Sequence, residues 1–396
     1  MRILLNYRIY NHENCKNSSC ICSTKAFKQE HCTYSKKVQE NSVTINLVNP
    51  ESYQKKAEEL AYNTGAYPHR STLFYYHKIY SEELFEYLEH LQYKRIEELE
   101  IKPSGTYCFD EQFVFVNKKL LLRLSLIDHH NKLIMGDILV SHEEYNNEII
   151  ETFLRSCLEN QPLKTIVTDG RQGYRTIIEA VGAIQHRCFF HIMQNLMTPL
   201  QKHINKLNNK VETIENQIQD KNNKIKEIRQ NKKKYNWPIP HDDKKTTKQQ
   251  NDIKDLGNEI RELKKEKSEI NKELKVIDYD KNRVHRIWES KTEKQAKRRY
   301  NTIYNQKDQI NPIIAKFLEK IKSNLDVMLN HIEDPEIPAT NNTIENYYRT
   351  TLPRSQKRIF RTKEGLKRRI REQQIRWTHR VILKQQTPLN KNTTYN

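Results

Sequence analysis

Thr165 to Asn195 reads TIVTDGRQGYRTIIEAVGAIQHRCFFHIMQN, and the fold is decided there. Thr165, Ile166, Val167 and Thr168 form a β-branched run too short for a helix and suited to a buried strand, which Asp169-Gly170 ends at once. A helix is predicted from Tyr174 to Val181, and a second strand from Ala183 to His191. The first of these strands leaves a carboxylate at its carboxyl end, where open α/β sheets bind their ligands. Two readings of Asp169 stand side by side: a functional carboxylate at a sheet edge, or a turn residue capping the helix near Tyr174.

Upstream, TYCFDEQFVFV, LLLRLSLIDHH and KLIMGDILV predict three antiparallel strands, with turns at Val116 to Lys119 and His129 to Lys132 and a helix from Glu143 to Leu158. Three meandering strands, helix, strand, helix, strand is the element order of a ribonuclease H-like core. The expected class is therefore α/β, a mixed sheet with flanking helices. Asp110 lies in the first strand beside Cys108, Phe109 and Phe113, an apolar setting in which an unpaired carboxylate is costly and a metal would relieve it. Glu111 points to the other strand face, and Asp128 and Asp137 read as solvated strand ends.

Downstream, Ile204, Leu207, Val211, Ile214, Ile218, Ile225 and Ile228 keep a 3,4 spacing broken by Lys221. Ile253, Leu256, Ile260, Leu263, Ile270, Leu274 and Ile277 repeat it, broken by Lys267. Lys232 to Gln250 between them is basic and contains Pro238 and Pro240. Two arms of about 40 Å around such a loop make an antiparallel coiled-coil hairpin, an insertion into the core rather than a core; dimerisation through one arm is the alternative geometry. After Pro335 and Pro338, Thr340 or Asn341 serves as N-cap and puts Glu345 in a first helical turn, where helix-dipole complementarity is its other reading. Arg349 to Lys384 then carries thirteen Lys or Arg against Glu364 and Glu372, a basic helix pair suited to phosphate.

The formal net charge of +19 calls for a polyanionic partner, and double-stranded DNA is the expected one. No apolar run is long enough to span a membrane, and MRILLNYRIYN lacks the apolar segment of a signal peptide, so a cytoplasmic, nucleoid-associated or nuclear location is expected. Hydrophobic residues make up only 36%, which leaves part of the chain as solvated helix or linker. The predicted organisation has six parts. Residues 1–50 are an arm in which Cys15, Cys20, Cys22 and Cys32 are candidate zinc ligands of a degenerate finger. Residues 51–100 are an all-α helix-turn-helix domain with His69, Arg70, Thr72 and Tyr75 on its DNA-facing helix, followed by a separate helix from Ser81 to Leu99. Residues 105–195 begin the core, 196–335 are the helical insertion, 336–384 complete the core and the basic helices, and 385–396 form a disordered tail.

The stretches FDEQF around Asp110, VTDGRQGY around Asp169, HRCFFH with Cys188 and His191 as a C-x2-H motif, and NNTIENYYR around Glu345 resemble those of DDE transposases, the Mutator-like and related groups with a helical insertion. Cys188 and His191 also read as packed residues at a strand-helix junction. The resemblance implies that Asp110, Asp169 and Glu345 bind two Mg²⁺ or Mn²⁺ ions, and that water cuts the end of a mobile element to leave a 3′-OH that attacks target DNA. It also implies that Arg354, Lys357, Arg358 and Arg361 hold the DNA ends in a homodimer or larger oligomer. A ribonuclease H-like nuclease or resolvase without strand transfer, and a non-catalytic regulator dimerised by the coiled coil, are the alternatives.

Overall fold

Asn117 and Lys118 take φ of 47° and 66°, the pair of left-handed residues that a tight two-residue hairpin requires. They join β1 (Thr106–Val116) to β2 (Lys119–Asp128), which turns in its own right into β3 (Ile134–Ser141). A computed structural model of the chain describes residues 34, 38–39, 52–64, 66–171, 173–234 and 243–384. The cysteines at 15, 20, 22 and 32 and the tail 385–396 lie outside the described residues. Helix α1 (Tyr53–Thr64) and α2 (Arg70–Glu98) precede the sheet; α3 (Asn147–Leu158), β4 (Thr165–Thr168), α4 (Tyr174–Val181) and β5 (Ile184–Arg187) follow it. The mixed sheet has the order β3-β2-β1-β4-β5. The chain divides into two compact units, one of Met1–Ile166, Thr176–Ala183 and Asn342–Asn396, the other of Val167–Arg175 and Ile184–Asn341.

In the first unit the β1–β3 meander pairs Asp110 with Ser125 and Ser125 with Asp137. Cross-strand partners share a face, so these three side chains stand in one row. The opposite face packs on α3: Phe109 meets Phe153 at 6.1 Å, and a Cβ on Gly136 would lie 2.2 Å from Cys157 Sγ, so only glycine lets α3 this close. The row with Asp110 is covered by α9 (Asn342–Thr351) and α10 (Lys363–Trp377), with Val114, Val116 and Leu121 packed against Leu352, Leu366 and Ile370.

Under that cover lies a fully buried cation. Arg123 donates from Nε to Asp137 Oδ1 at 2.9 Å, from Nη2 to Asp137 Oδ2 at 2.5 Å and from Nη1 to Thr351 Oγ1 at 2.9 Å. The Tyr347 and Tyr348 rings lie 5.0 and 5.3 Å from its guanidinium. Asp137 and Asp128 are therefore not solvated strand ends. The Asp137 side chain is 4% exposed and bound to Arg123, and Asp128 is fully buried, accepting from Ser104 N at 2.7 Å, Ser104 Oγ at 2.6 Å and Asn131 N at 2.6 Å.

The N-terminal helices join in the expected order, with Ala57 and Leu60 packed on Leu73. The separate helix predicted from Ser81 is instead a continuation of α2, which runs unbroken for 29 residues because Ser81 and Phe85 are buried along with Leu73 and Tyr76. Arg371 on α10 grips this helix, Nε and Nη2 donating at 2.8 Å to the two carboxylate oxygens of Glu89. Gln92 Nε2 donates to the Ile375 carbonyl at 2.8 Å.

The second unit is dominated by α5 (Phe189–Lys234) and α6 (Asp243–Trp288), 46 residues each and about 69 Å long at 1.5 Å per residue, longer than the expected arms of about 40 Å because both helices continue beyond the apolar repeats. The two helices are antiparallel: Lys267 pairs with Glu215 at 2.6 Å, His203 with Glu273 at 3.1 Å, and Lys221 with Glu259. The two lysines that interrupt the apolar repeat thus reach a carboxylate on the opposite arm. The segment also makes a core of its own, which the reading as a mere insertion did not anticipate. Leu196, Leu200, Ile287 and Trp288 pack with Tyr300 of α7 (Glu293–Tyr304) and Phe317 and Leu318 of α8 (Pro312–Ile321). Among the described residues no helix is long and apolar enough to cross a membrane.

Removing one partner of a buried ion pair strands the other charge, at a cost of about 3–5 kcal/mol. Asp137→Ala is expected to lose stability on that scale in urea unfolding, whereas Arg123→Met with Asp137→Leu loses much less. Equal losses in the two variants would show that the charge is not what the site constrains.

Candidate active site

Asp110 emerges half-buried from the middle of β1, on the sheet face covered by α9. Tyr348 of α9 donates its phenol to the Asp110 carbonyl at 2.6 Å and to the Arg123 carbonyl at 3.2 Å. Burial first, and then the Asp110 carboxylate, hold that phenol protonated well above its usual range. Glu345 lies one helical turn before Tyr348 and so on the same side of α9, which brings the helix face bearing Glu345 onto the sheet face bearing Asp110. Glu111 points away and accepts from the Tyr145 phenol on the opposite face.

Lys357 also senses Asp110: burial lowers its ammonium pKa, and the Asp110 carboxylate is the largest influence pulling it back up. The segment that carries it is stitched to the end of β1, with Phe115 N donating to the Lys357 carbonyl at 2.8 Å and Asn117 N to the Phe360 carbonyl at 3.0 Å. Arg354, Arg358 and Arg361 are exposed, and the Arg358 guanidinium lies 5.2 Å from the Phe115 ring. At the N-terminal helices His69, Arg70 and Tyr75 are exposed and Thr72 is half-buried. His69 is the N-cap of α2, its side chain accepting from Ser71 N.

In the second unit Asp169 follows directly on β4, half-buried, and its Oδ1 accepts from Arg171 N at 3.0 Å. This is a turn bond to the residue two along, not one to the helix that starts at Tyr174. Arg187 stands beside this turn, donating from Nη2 to the Gly170 carbonyl at 3.1 Å; burial lowers its pKa and the Asp169 carboxylate opposes that fall. A Cβ on Gly170 would meet that guanidinium at 2.5 Å.

The predicted strand to His191 stops at Arg187, and Cys188 and His191 instead open α5. Cys188 is fully buried, its N–H donating to the Thr168 carbonyl at 2.8 Å and its Sγ accepting from Asn341 N at 3.2 Å. The Cys of the C-x2-H motif thus joins the end of β4 to the residue before α9, a packing role at a strand-helix junction.

Sequence reasoning missed Arg123, Tyr347, Tyr348 and Arg187. The signal for Arg123 was present, since a cation in the middle of KLLLRLSLID, flanked by leucines, has to find a buried partner. Among the described residues no three His, Cys, Asp or Glu side chains are grouped to hold a metal ion. Asp110 and Glu345 are nevertheless two hard oxygen donors on one side of the sheet, the donor type Mg²⁺ and Mn²⁺ take together with water and phosphate, so their chemistry fits such an ion.

The family model of the ISL3 DDE transposases, described as Transposase, matches residues 108–370. That span takes in the sheet, the helical hairpin, α9 and most of α10. The chain belongs to the ISL3 family of DDE transposases. The Mutator-like groups suggested by the motifs give way to it, because carboxylate spacing and a helical insertion describe an architecture, whereas the match runs along the sequence itself. The chain is also 24% identical over 284 residues to the insertion element ISM1 uncharacterized 48.3 kDa protein of Methanobrevibacter smithii. The alignment covers 70% of this chain and 54% of that protein, so the ISL3-type chain spans about half the length of the curated relative it matches.

His129, which bonds Thr343 Oγ1 at 3.1 Å beside the Glu345 turn, is lowered to about 4, by burial first and then by Lys132 and His130. The usual histidine value is about 6.5, so between pH 6.5 and 4 the unfolded chain binds the extra proton and stability rises with pH. The stabilisation is complete above pH 6.5 and drains away as the pH falls towards 4. His77 and His186, each lowered to about 3, add to the same slope. The melting temperature is expected to drop on acidification through this window, and His129→Gln to flatten the drop; an unchanged slope in that variant contradicts the assignment.

Proposed function

We propose that the chain acts as the transposase of a mobile element, binding terminal inverted repeats in double-stranded DNA and catalysing metal-dependent strand cleavage and strand transfer. The observation that carries this is the family match, which spans both Asp110 and Glu345, the two carboxylates whose elements meet on one side of the sheet. The core is read as ribonuclease H-like, with Asp110, Asp169 and Glu345 as the acidic residues of the DDE set. When bound, two Mg²⁺ or Mn²⁺ ions supply Lewis acidity to the scissile phosphate and to the attacking and leaving oxygens.

The chain's own groups set the conditions for that chemistry. Tyr348 fixes the β1 backbone at Asp110 through its carbonyl, and Arg123 beneath it supports the row without taking Asp110 as its partner. Lys357 sets a positive charge close to Asp110, where it offsets carboxylate charge and offers a phosphate contact. Arg354, Arg358 and Arg361 extend that cationic track along an exposed segment, and His69, Arg70, Thr72 and Tyr75 are read as the DNA-facing residues of the N-terminal helices. Cleavage leaves a 3′-OH on the element, which then attacks a target phosphodiester. Joining two element ends calls for two such sites, so the working form is read as a homodimer or larger oligomer in the compartment that holds the host DNA.

Losing a metal-binding carboxylate removes several kcal/mol of charge stabilisation, about a thousandfold in rate or more. Asp110→Asn, Asp169→Asn and Glu345→Gln are each expected to abolish Mg²⁺- or Mn²⁺-dependent nicking of labelled DNA carrying the inverted repeats that flank the gene, while repeat binding persists. Nicking that survives in all three variants would overturn the reading. Arg358→Ala and Arg361→Ala are expected to weaken binding and to lower the slope of log affinity against log salt by about 0.9 for each phosphate that is no longer neutralised. An unaltered slope in both places the DNA elsewhere.

A further inference from the structure

Within the second unit, Arg187 stands beside the Asp169 turn with most of its hydrogen-bonding capacity unused, and the function proposed above gives it no part. It ends β5, the neighbour of β4 in the sheet. Main-chain and side-chain bonds tie the two strand ends together. Cys188 N donates to the Thr168 carbonyl at 2.8 Å, and Gln185 Nε2 donates to Thr168 Oγ1 at 2.9 Å. Arg187 and Asp169 adjoin the residues that make the first of these bonds, so the backbone sets both at the carboxyl ends of neighbouring strands.

The side chain is placed firmly but is far from satisfied. Nη2 donates to the Gly170 carbonyl at 3.1 Å, the one acceptor the guanidinium has among the described residues, and Nε is buried without any. A Cβ on Gly170 would meet Nη2 at 2.5 Å, so the glycine leaves the guanidinium lying directly against the turn. The Asp169 carboxylate is near enough to oppose the fall in pKa that burial causes, and so favours the charged form. Arg123 shows what a structural arginine looks like in this protein: it donates to Asp137, Thr351 and Gln112. Buried donors are ordinarily bonded, and one left open calls for an explanation.

An anion supplies what is missing. The planar fork of a guanidinium matches phosphate oxygens, and Asp169 determines how such an anion can arrive. A free anion is repelled by that carboxylate. A phosphodiester entering where Asp169 binds divalent ions has the repulsion neutralised, and a non-bridging oxygen then meets the unused N–H groups. Negative charge on those oxygens has to be stabilised during phosphoryl transfer, and a donor fixed in advance does so without reorganisation.

We propose that Arg187 is a catalytic residue of DNA cleavage, donating from its guanidinium to a non-bridging oxygen of the scissile phosphate beside Asp169. It forms no covalent bond and keeps its protons. It steadies the charge while the oxygen of water bonds to phosphorus and the P–O3′ bond breaks, giving a 3′-hydroxyl and a 5′-phosphate. The inference rests on the transposase reading and adds to it a cation that the fold itself fixes at the second acidic position.

The test compares the unaltered full chain with Arg187→Gln and Arg187→Lys on repeat-end duplexes. The scissile phosphate, located by mapping the Mg²⁺-dependent nick, is either natural or replaced by an uncharged methylphosphonate. Affinity is read in Ca²⁺ by fluorescence anisotropy and nicking of natural DNA in Mg²⁺, with melting curves to check the fold. Removing the phosphate charge is expected to cost the unaltered protein about tenfold more affinity than it costs Arg187→Gln, as for a hydrogen bond to a charged group. The nicking rate of Arg187→Gln is expected to fall about a hundredfold or more, while its half-saturating Mg²⁺ concentration does not rise. Equal methylphosphonate penalties in the two proteins overturn the proposal, and a raised Mg²⁺ requirement beside them assigns Arg187 to holding the turn. Arg187→Lys keeps a charge but not the fork, is expected to fall between the two, and decides the matter where the glutamine variant does not fold. A lysine variant equal to the unaltered protein in both rate and penalty also overturns it. Each of these results leaves the transposase reading standing, whereas repeat DNA left uncut by the unaltered protein in Mg²⁺ and Mn²⁺ removes that reading and the role of Arg187 with it.

Discussion

A guanidinium with no exposed surface, flanked by leucines in the middle of a strand, has to be satisfied from every side. Arg123 is that group, and its partners are drawn from three separate elements: Gln112 on β1, Asp137 on β3, and Thr351 with the two tyrosine rings on α9. Such a pair adds little net stability over an apolar replacement, since the desolvation of both charges offsets their attraction. Its effect is on alternatives. A one-residue slip of β2 against either neighbour would carry Arg123 to the other face and leave Asp137 uncompensated. A rotation of α9 would take Thr351 and both tyrosines off the guanidinium. The charge thus fixes the sheet register and the seat of the Glu345 helix together.

The same constraint separates the carboxylates of the row. Asp110, Ser125 and Asp137 stand side by side, yet Asp137 is bound bidentately by Arg123 whereas Asp110 meets Tyr348 through its backbone carbonyl. Asp128 accepts three hydrogen bonds around the β2–β3 turn and is equally committed. Asp110 differs from both in having a protonated phenol and an ammonium within its electrostatic reach. The helical hairpin uses charge in a related way. Lys221 and Lys267 occupy seam positions and reach Glu259 and Glu215, which sets the antiparallel register of arms whose apolar repeat alone would allow slippage.

Local pattern makes much of this legible in the sequence. The alternation in TYCFDEQFVFV gives β1 residue for residue, the apolar stripe of YRTIIEAV gives α4, and the two interrupted repeats give both long arms. What escapes depends on partners distant in the chain. Asp128 and Asp137 read as solvated because nothing adjacent to them announces Ser104 or Arg123. Ser81 reads as a helix start because a serine commonly caps one, whereas burial makes it an interior residue of α2. Cys188 reads as strand because HRCFF is apolar enough to extend one; the bonds to Thr168 and Asn341 that end the strand there come from both directions along the chain. For the candidate site, the sequence marks Asp110, Asp169 and Glu345 as acidic positions, but not the tyrosines and the arginine that place the helix bearing Glu345 against the strand bearing Asp110.

The basic C-terminal stretch shows how composition and role diverge once the chain is folded. Its count of cations suggests a uniform phosphate-binding surface, yet Arg371 is committed to Glu89 and Glu82, and Arg369 to the buried Glu372. The helix richest in arginine thus serves in part to hold α2. The segment before it exposes Arg354, Arg358 and Arg361, and its backbone is bonded to β1 at Phe115 and Asn117. Because that attachment runs through carbonyls of Lys357 and Phe360, the intervening Arg358 is left exposed, while Lys357 lies where it senses Asp110. The segment that carries the neighbouring positive charge is therefore bonded to the end of the strand that carries the carboxylate. That attachment ties the Lys357 backbone to the end of β1, so the ammonium that senses Asp110 is set by main-chain hydrogen bonds rather than by side-chain charge alone.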